Sequence, residues 1–389
     1  MENVRNVVLI IADAVRYDIG AQHLQGLGPT YKTIAPSLHT APSVASILTG
    51  KNVPTHGVDG FGKSLSSDIF TIFDIPNLET AADNRSSMND TIEWIVPDIQ
   101  RRQLEQMDPP FMWVTRMPGG HAPYHGFDLD TFDFEDETGA EYISNNAGNI
   151  EKLNSDYRAA VGDSLEVFSR IRDQIRKMGE LDKTLFVFTS DHGEVLGEYE
   201  YIGHNHIGCP ELVYVPTTLV YEGISIDCEN TLISSVDILP TIVDIMDLRI
   251  DSNPFDGESF FNGSSRTYGY NHYVTHSYNN KYLGSLNRIV QSVWEESGGH
   301  VFNKTTKLQA VLLFLGLLLQ SPKGQHFRKQ RSFSSVYKRL QPGHEKFGDP
   351  DLTEKEAWSI VQAYNERSSE SMKDLESNQR KKLEDLGYL

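Results

Sequence analysis

The strongest constraint on the fold is a set of short apolar runs, spaced so that helices fit between them. Asn6-Val7-Val8-Leu9-Ile10-Ile11, Phe111-Met112-Trp113-Val114-Thr115 and Thr184-Leu185-Phe186-Val187-Phe188-Thr189 contain no charge and no polar alternation. A strand that is apolar on both sides must be covered on both faces, which is the situation inside a parallel sheet. Ahead of the third run, Tyr157, Val161, Leu165, Phe168, Ile171 and Ile175 recur at spacings of three and four. That spacing predicts a long amphipathic helix over Ile150–Lys177. Pro42 to Gly50 predicts a short helix with glycine in its C-cap position. Pro216 to Tyr221 reads as a fourth strand, and Val236 to Met246 as another helix. Alternating strands and helices predict the α/β class, with a mostly parallel central sheet and helices on both faces.

The texture changes near Ser265. Tyr268, Tyr270, Tyr273, Tyr278 and Tyr282 lie in a Gly/Asn-rich run, followed by Arg288 to Trp294. Short strands with turn signals predict a small antiparallel sheet. A polar helix is expected from Thr353 to Asp385. The expected division is an α/β catalytic domain over 1–262 and a C-terminal subdomain over 263–389 packed on it.

The 389 residues, 39% hydrophobic and 23% charged, describe ordinary globular material. A formal charge of −19 argues against nonspecific nucleic-acid binding. Cys209 and Cys228 cannot build a disulfide framework and read as inert core thiols. The run Leu308 to Leu319 is too short to span a bilayer, for which about 20 residues are needed, and reads as a core or docking helix. It is followed by Lys323, Arg328, Lys329, Arg331, Lys338, Arg339 and Lys346, against the single acid Glu345. Apolar surface beside basic surface suits anionic lipid, so 308–346 is a candidate for peripheral membrane contact. With no signal segment in the sequence, a cytoplasmic location is expected. The acidic stretch Asp128 to Glu137 reads first as a solvated loop, and second as a calcium loop.

In a parallel sheet, ligands gather at the carboxyl ends of the strands. Asp13 follows the first apolar run and Asp191-His192 follows the third. One more oxygen ligand would complete a mixed N/O site suited to manganese or zinc, with calcium or magnesium also compatible. Thr40 precedes Ala41-Pro42 at the start of a helix, where an N-cap threonine is the ordinary reading. A hydroxyl beside a cation is also a stronger nucleophile. Thr40 can serve in both ways.

With these residues in place, the chain resembles the sulfatase-like branch of the alkaline phosphatase superfamily, in its threonine-nucleophile, single-metal form. The resemblance rests on six blocks in family order: Asp13-Ala14-Val15-Arg16-Tyr17-Asp18, Thr40 through Gly50, His121-Ala122-Pro123-Tyr124, Ser190 through Glu198, Val236 through Thr241, and Leu386-Gly387-Tyr388. It implies one divalent ion held by Asp13, Thr40, Asp191 and His192. Thr40 would be the nucleophile, and His121 and His204 the catalytic, substrate-facing groups, with His206 as a further substrate-side histidine. Arg16 and Asp18 would brace the first-strand loop.

The departures from the family bear on the chemistry. Sulfatases place Cys or Ser, to be oxidised to formylglycine, four residues before an Arg; here those positions are Thr40 and Val44. Threonine cannot yield that aldehyde. Met117 stands where two-metal relatives carry a second-site Asp. The expected function is therefore a metal-dependent hydrolase or transferase of phosphate esters, most plausibly diesters, on a small-molecule, glycan or lipid-linked substrate. A sulfuric ester hydrolase working without formylglycine is the second reading. A noncatalytic binding member of the family is the third.

Overall fold

The computed structural model describes residues 4–61, 63–85, 89–125, 127–128, 137–204, 207–221, 232–250, 253–261, 266–275, 288–319 and 333–366. His206, Cys228, most of the acidic loop, residues 320–332 and everything after 366 lie outside the described residues.

The central sheet is built from β1 (Asn6–Ala12), β2 (Thr30–Ile34), β3 (Glu79–Ala82), β4 (Phe111–Met117), β5 (Thr184–Ser190), β8 (Tyr214–Val220) and β9 (Ile233–Ser234). Their order is β3-β4-β1-β5-β8-β2-β9. Neighbouring strands run parallel except at β8, which is antiparallel to both β5 and β2. The α/β reading thus holds, with one reversed strand. A small ribbon pairs β6 (Val195–Leu196) with β7 (Ile202–Gly203).

Every residue of β1, β4, β5 and β8 is buried. Alternate β1 residues serve opposite cores, as the pleat requires. Val8, Ile10 and Ala12 join Tyr157, Val161, Phe168 and Ile171 of the long helix α6 (Ile150–Lys177). Val7, Leu9 and Ile11 join Val44 and Ile47 of α2 (Thr40–Thr49), and Ile238 and Ile242 of α8 (Ile238–Ile245). The same side also receives α4 (Asp90–Ile95) through Ile92 and Ile95. The helix foreseen over 236–246 begins as a 3-10 turn, Ser235–Asp237, because the Asp237 side chain folds back to accept the Ser234 backbone N–H. The remaining helices of this region are α1 (Tyr17–Leu24), α3 (Val53–His56), α5 (Gly139–Asn146) and α7 (Pro210–Val213).

The second sheet is antiparallel, β10 (Gly269–Thr275), β11 (Arg288–Glu295), β12 (Gly298–Asn303) and β13 (Gly343–Gly348), in that order. It is tied to the first sheet by Asn271, whose Nδ2 donates to the Ala35 carbonyl at 2.8 Å, and by the His272 N–H, which donates to Pro36 O at 2.8 Å. One face carries α9 (Lys307–Leu319) and α10 (Phe333–Leu340); the other receives Ala357 and Val361 of a helix over 354–366. Among the described residues, no helix is long and apolar enough to cross a membrane.

Candidate active site

Strand register delivers the site. Ala12 lies opposite Met117 on one side and Ser190 on the other. Asp13 and Asp191 therefore leave adjacent strands at the same height, and Arg116 reaches the same edge from the last turn of the pleat in β4. The Asp191 N–H donates to Ala12 O at 3.2 Å, and the Asp13 N–H to Met117 O at 3.0 Å.

The loop after β1 is held by side chains rather than by further sheet. The Ala14 N–H donates to Asp191 Oδ1 at 3.0 Å, and the Val15 N–H to Ser190 Oγ at 2.8 Å. The buried Tyr157 hydroxyl accepts from the Arg16 N–H at 2.9 Å and donates to Ala14 O at 2.8 Å. Ala14 takes a left-handed φ of 58° within this clamp. Arg16 bonds Asp18 at 2.9 and 2.8 Å and Glu198 at 2.6 Å, so the bracing read from the sequence is present. Gly119 has φ 57°, and a Cβ there would lie 2.2 Å from the Asp13 carbonyl oxygen. Only glycine lets the loop after β4 pass so close.

Four atoms converge on one point. His192 Nε2 lies 3.8 Å from Asp13 Oδ1, 3.8 Å from Asp191 Oδ2 and 3.3 Å from Thr40 Oγ1. Asp13 Oδ1 and Asp191 Oδ2 are buried and make no hydrogen bond. Oxygens in that condition are costly unless a cation answers them. Asp13, Asp191 and His192 can each offer an atom within 4.8 Å of the others, so the cluster can hold a metal ion. His192 Nδ1 lies 2.9 Å from the Gly193 carbonyl, which takes the ring N–H and leaves the Nε2 lone pair facing the carboxylates.

Thr40 is the first residue of α2 and not its cap. His39 takes the N-cap position in extended backbone (φ −149°, ψ 144°), with no side-chain cap bond. The Thr40 hydroxyl is thereby left to the His192 side of the site. At the other end, Gly50 closes the helix in left-handed conformation (φ 65°, ψ 20°), as its position in the sequence foretold.

Arg116 was not singled out from the sequence. Its Nη2 donates to Asp13 Oδ2 at 2.7 Å and stands 3.6 Å from Asp191 Oδ2, while Nη1 donates to Thr91 Oγ1 at 3.0 Å. The side chain is 2% exposed. Val44, at the arginine position of the sulfatase pattern, is fully buried in the core, and the guanidinium beside the acid pair comes from β4 instead. The available signal was a lone charge near the end of an otherwise apolar strand. The pair responds unequally. Burial works to raise Asp13, but His121, Arg116 and His192 outweigh it and hold that carboxyl below its ordinary range. Asp191 is pushed up, first by burial and then by the charge of Asp13.

The two other described histidines foreseen for the site form a row with His192. The His204 ring centroid lies 4.5 Å from that of His192 and 5.5 Å from that of His121. His204 Nδ1 is 3.3 Å from Oε2 of the buried Glu194, a carboxylate given no role in the sequence reading. The structure thus brings Asp13, Thr40, Asp191, His192, His121 and His204 together.

The family model of sulfatases matches residues 72–248. That span holds Arg116, His121, Asp191, His192 and His204, but not Asp13 or Thr40. The chain is similar to the low-salt glycan biosynthesis sulfotransferase Agl7 of Haloferax volcanii, with 28% identity over 404 aligned positions covering 99% of this chain and 96% of that protein. In structure it resembles a 2-O GAG sulfatase, with a TM-score of 0.63 at 12% identity, covering 96% of this chain and 94% of the other. It also resembles the phosphonate monoester hydrolase of Agrobacterium radiobacter, with a TM-score of 0.57 at 14% identity, covering 90% of this chain and 99% of the other. Residues 72–248 of the chain thus match the sulfatase family model, and the chain shares its fold with sulfatases and phosphonate monoester hydrolases.

Proposed function

We propose that this chain is a metal-dependent enzyme that transfers a monoanionic tetrahedral group, sulfuryl or the phosphoryl of a diester, from one oxygen to another through Thr40. The observation that carries this reading is the convergence of Asp13 Oδ1, Asp191 Oδ2 and Thr40 Oγ1 around His192 Nε2. Asp13, Thr40, Asp191 and His192 would hold a divalent cation, which would supply charge favouring the threonine alkoxide and polarising the ester.

The residues divide the remaining work. Thr40, its proton passed to solvent water, bonds to sulfur or phosphorus as the bond to the leaving oxygen breaks. His204, oriented by Glu194, gives that oxygen a proton, with His121 beside it as the second substrate-facing donor. An acceptor hydroxyl or water then reverses the sequence and returns a proton to His204. With Thr40 protonated, Asp13, Asp191, Arg116 and a divalent ion would sum to one positive charge, to which Glu194 with protonated His204 adds none. Ionised Thr40 brings the sum to zero, which suits a sulfate monoester or a phosphodiester better than a dianionic phosphate monoester.

Similarity along nearly the whole chain to a glycan sulfotransferase supports a sulfuryl group and a glycan partner. Threonine in place of the formylglycine precursor keeps the phosphodiester as the second reading. Manganese and zinc best suit this mix of oxygen and nitrogen ligands. Initial rates on aryl sulfate, phosphodiester and phosphomonoester substrates test the reading, using protein stripped of metal and resupplied with manganese or zinc. The expected result is metal-dependent turnover of a monoanionic ester, reduced at least about a thousandfold in Thr40→Ala. Near-normal turnover in that variant would refute the role of Thr40.

A peripheral lipid contact is supported by α9. Ala310 and Leu317 face the core, whereas Leu308 (63% exposed), Leu315 (42%) and Leu319 (72%) form an outer apolar stripe. Basic residues follow this stripe in the sequence.

A further inference from the structure

We propose that Phe61 and Trp94 form an aromatic platform that stacks against a pyranose ring of the substrate, making the mouth of this site a sugar subsite. The inference rests on the reading of Thr40 as the reacting centre and names the substrate class for it.

Among the described residues, the large apolar side chains left strongly exposed fall into two groups. One belongs to α9 and the start of α10. The other is the pair Phe61, 52% exposed, and Trp94, 59% exposed. The pair is continuous with the site at both ends. On one side the His39 ring packs edge-on to Phe61, with centroids 4.8 Å apart at 81°, and His39 immediately precedes Thr40. On the other side Trp94 lies on α4, whose first turn holds Thr91, the acceptor of the Arg116 guanidinium. Phe61 and Trp94 meet edge-on, with centroids 6.2 Å apart at 78°. An exposed aromatic row thus starts beside the nucleophile and ends on the helix that touches Arg116.

Exposed aromatic surface of this size beside a polar reacting centre needs an occupant with one apolar face. A pyranose has such a face in its axial C–H groups, and a rim of hydroxyls that seek acceptors. Acidic residues neighbour both rings along the chain. Asp59 pairs with Lys63 at 2.9 Å on the Phe61 segment, and Glu93 pairs with Arg101 at 3.2 Å beside Trp94. A lipid chain would gain nothing from those carboxylates, whereas sugar hydroxyls would. The two perpendicular rings offer a corner rather than a flat sheet, which suits a ring seated on Trp94 with its edge against Phe61.

Saturation-transfer NMR with free trisaccharides of glucose and of N-acetylglucosamine tests the platform without requiring turnover. The expected result is transfer concentrated on the C–H protons of one sugar face. It should be the same in wild type and Thr40→Ala, about tenfold weaker in affinity in Trp94→Ala, and largely kept in Trp94→Phe. A tenfold loss corresponds to about 1.4 kcal/mol, within the range of one aromatic contact and its buried area. Thermal midpoints of the variants, expected within a few degrees of wild type, separate lost binding from lost fold. Absence of transfer from either sugar in wild type that turns over aryl esters would overturn the platform and leave the Thr40 reading intact. Quenching of Trp94 by anionic liposomes but not by sugars would also overturn it. Sugar binding without turnover of any ester would uphold the platform and count against the catalytic reading.

Discussion

Replacing Arg116 with methionine is the most informative perturbation of the site. Methionine matches the apolar stem out to the position of Nε, but the guanidinium and its charge next to Asp13 and Asp191 are lost. Unit charges about 4 Å apart interact by about 4 kcal/mol at an effective dielectric of 20. Deleting one partner of a buried ion pair costs about 3–5 kcal/mol by comparison with other proteins. The two figures agree, and Arg116 is 2% exposed with a 2.7 Å bond to Asp13, so solvent offers little relief. Metal-free Arg116→Met should therefore lose about 3–5 kcal/mol in urea unfolding. A bound divalent ion would supply the missing charge to the same carboxylates, so saturating manganese should recover a large part of that loss. Manganese would then stabilise the variant more than the wild type. Arg116→Lys, which keeps the charge but cannot span Asp13 and Thr91 together, should fall between them. The reasoning fails if the metal-free variant loses less than about 1 kcal/mol, or if manganese leaves the difference between variant and wild type unchanged.

Three further outcomes follow from particular contacts. His56 is buried, accepts from the Val58 N–H through Nδ1 at 3.1 Å and lies 2.9 Å from Ser46 Oγ; burial, with Lys51 nearby, pushes its pKa down to about 3. Below pH 6.5 the unfolded chain takes up a proton that the folded chain refuses. Stability should fall by about 1.4 kcal/mol per pH unit from this residue, amounting to about 2 kcal/mol at pH 5, and His56→Asn should lack that component in unfolding compared at pH 7 and 5. Gly119→Ala would put a methyl carbon against the Asp13 carbonyl oxygen at 2.2 Å; loss of activity and a stability loss of several kcal/mol are expected, on the order of other strained core substitutions, with normal behaviour counting against the tight loop. If α9 grips lipid, flotation with anionic liposomes should be lost in Leu308→Asp/Leu315→Asp, and equal flotation of the variant would rule that surface out.

How far the site was legible depends on the kind of residue. Asp13, Asp191 and His192 could be found because each follows an apolar run, and strand ends are where an α/β sheet exposes chemistry. Arg116 sits inside such a run and was read as part of a strand. Its function exists only because β4 lies beside β1 in register, with Ala12 opposite Met117. Glu194 was visible inside a motif, but its contact with His204 at 3.3 Å exists only where β6 and β7 fold that histidine back towards it. Thr40 was placed at the right helix end, one position away from the cap it was expected to fill.

The sequence by itself determined the elements with long, uniform patterns. The unbroken apolar runs specify strands covered on both faces, and the spacing from Tyr157 to Ile175 specifies the long helix, because burial follows local periodicity. The short strands β2, β3 and β9 and the reversal of β8 carry no such pattern. Their pairing depends on neighbours brought from far along the chain. The same holds for the aromatic row His39, Phe61 and Trp94, whose members are scattered in sequence and meet only where α2 and α4 pack on one side of the sheet. Local chemistry names the residues that can react; only the tertiary arrangement decides which charges, rings and loops stand around them.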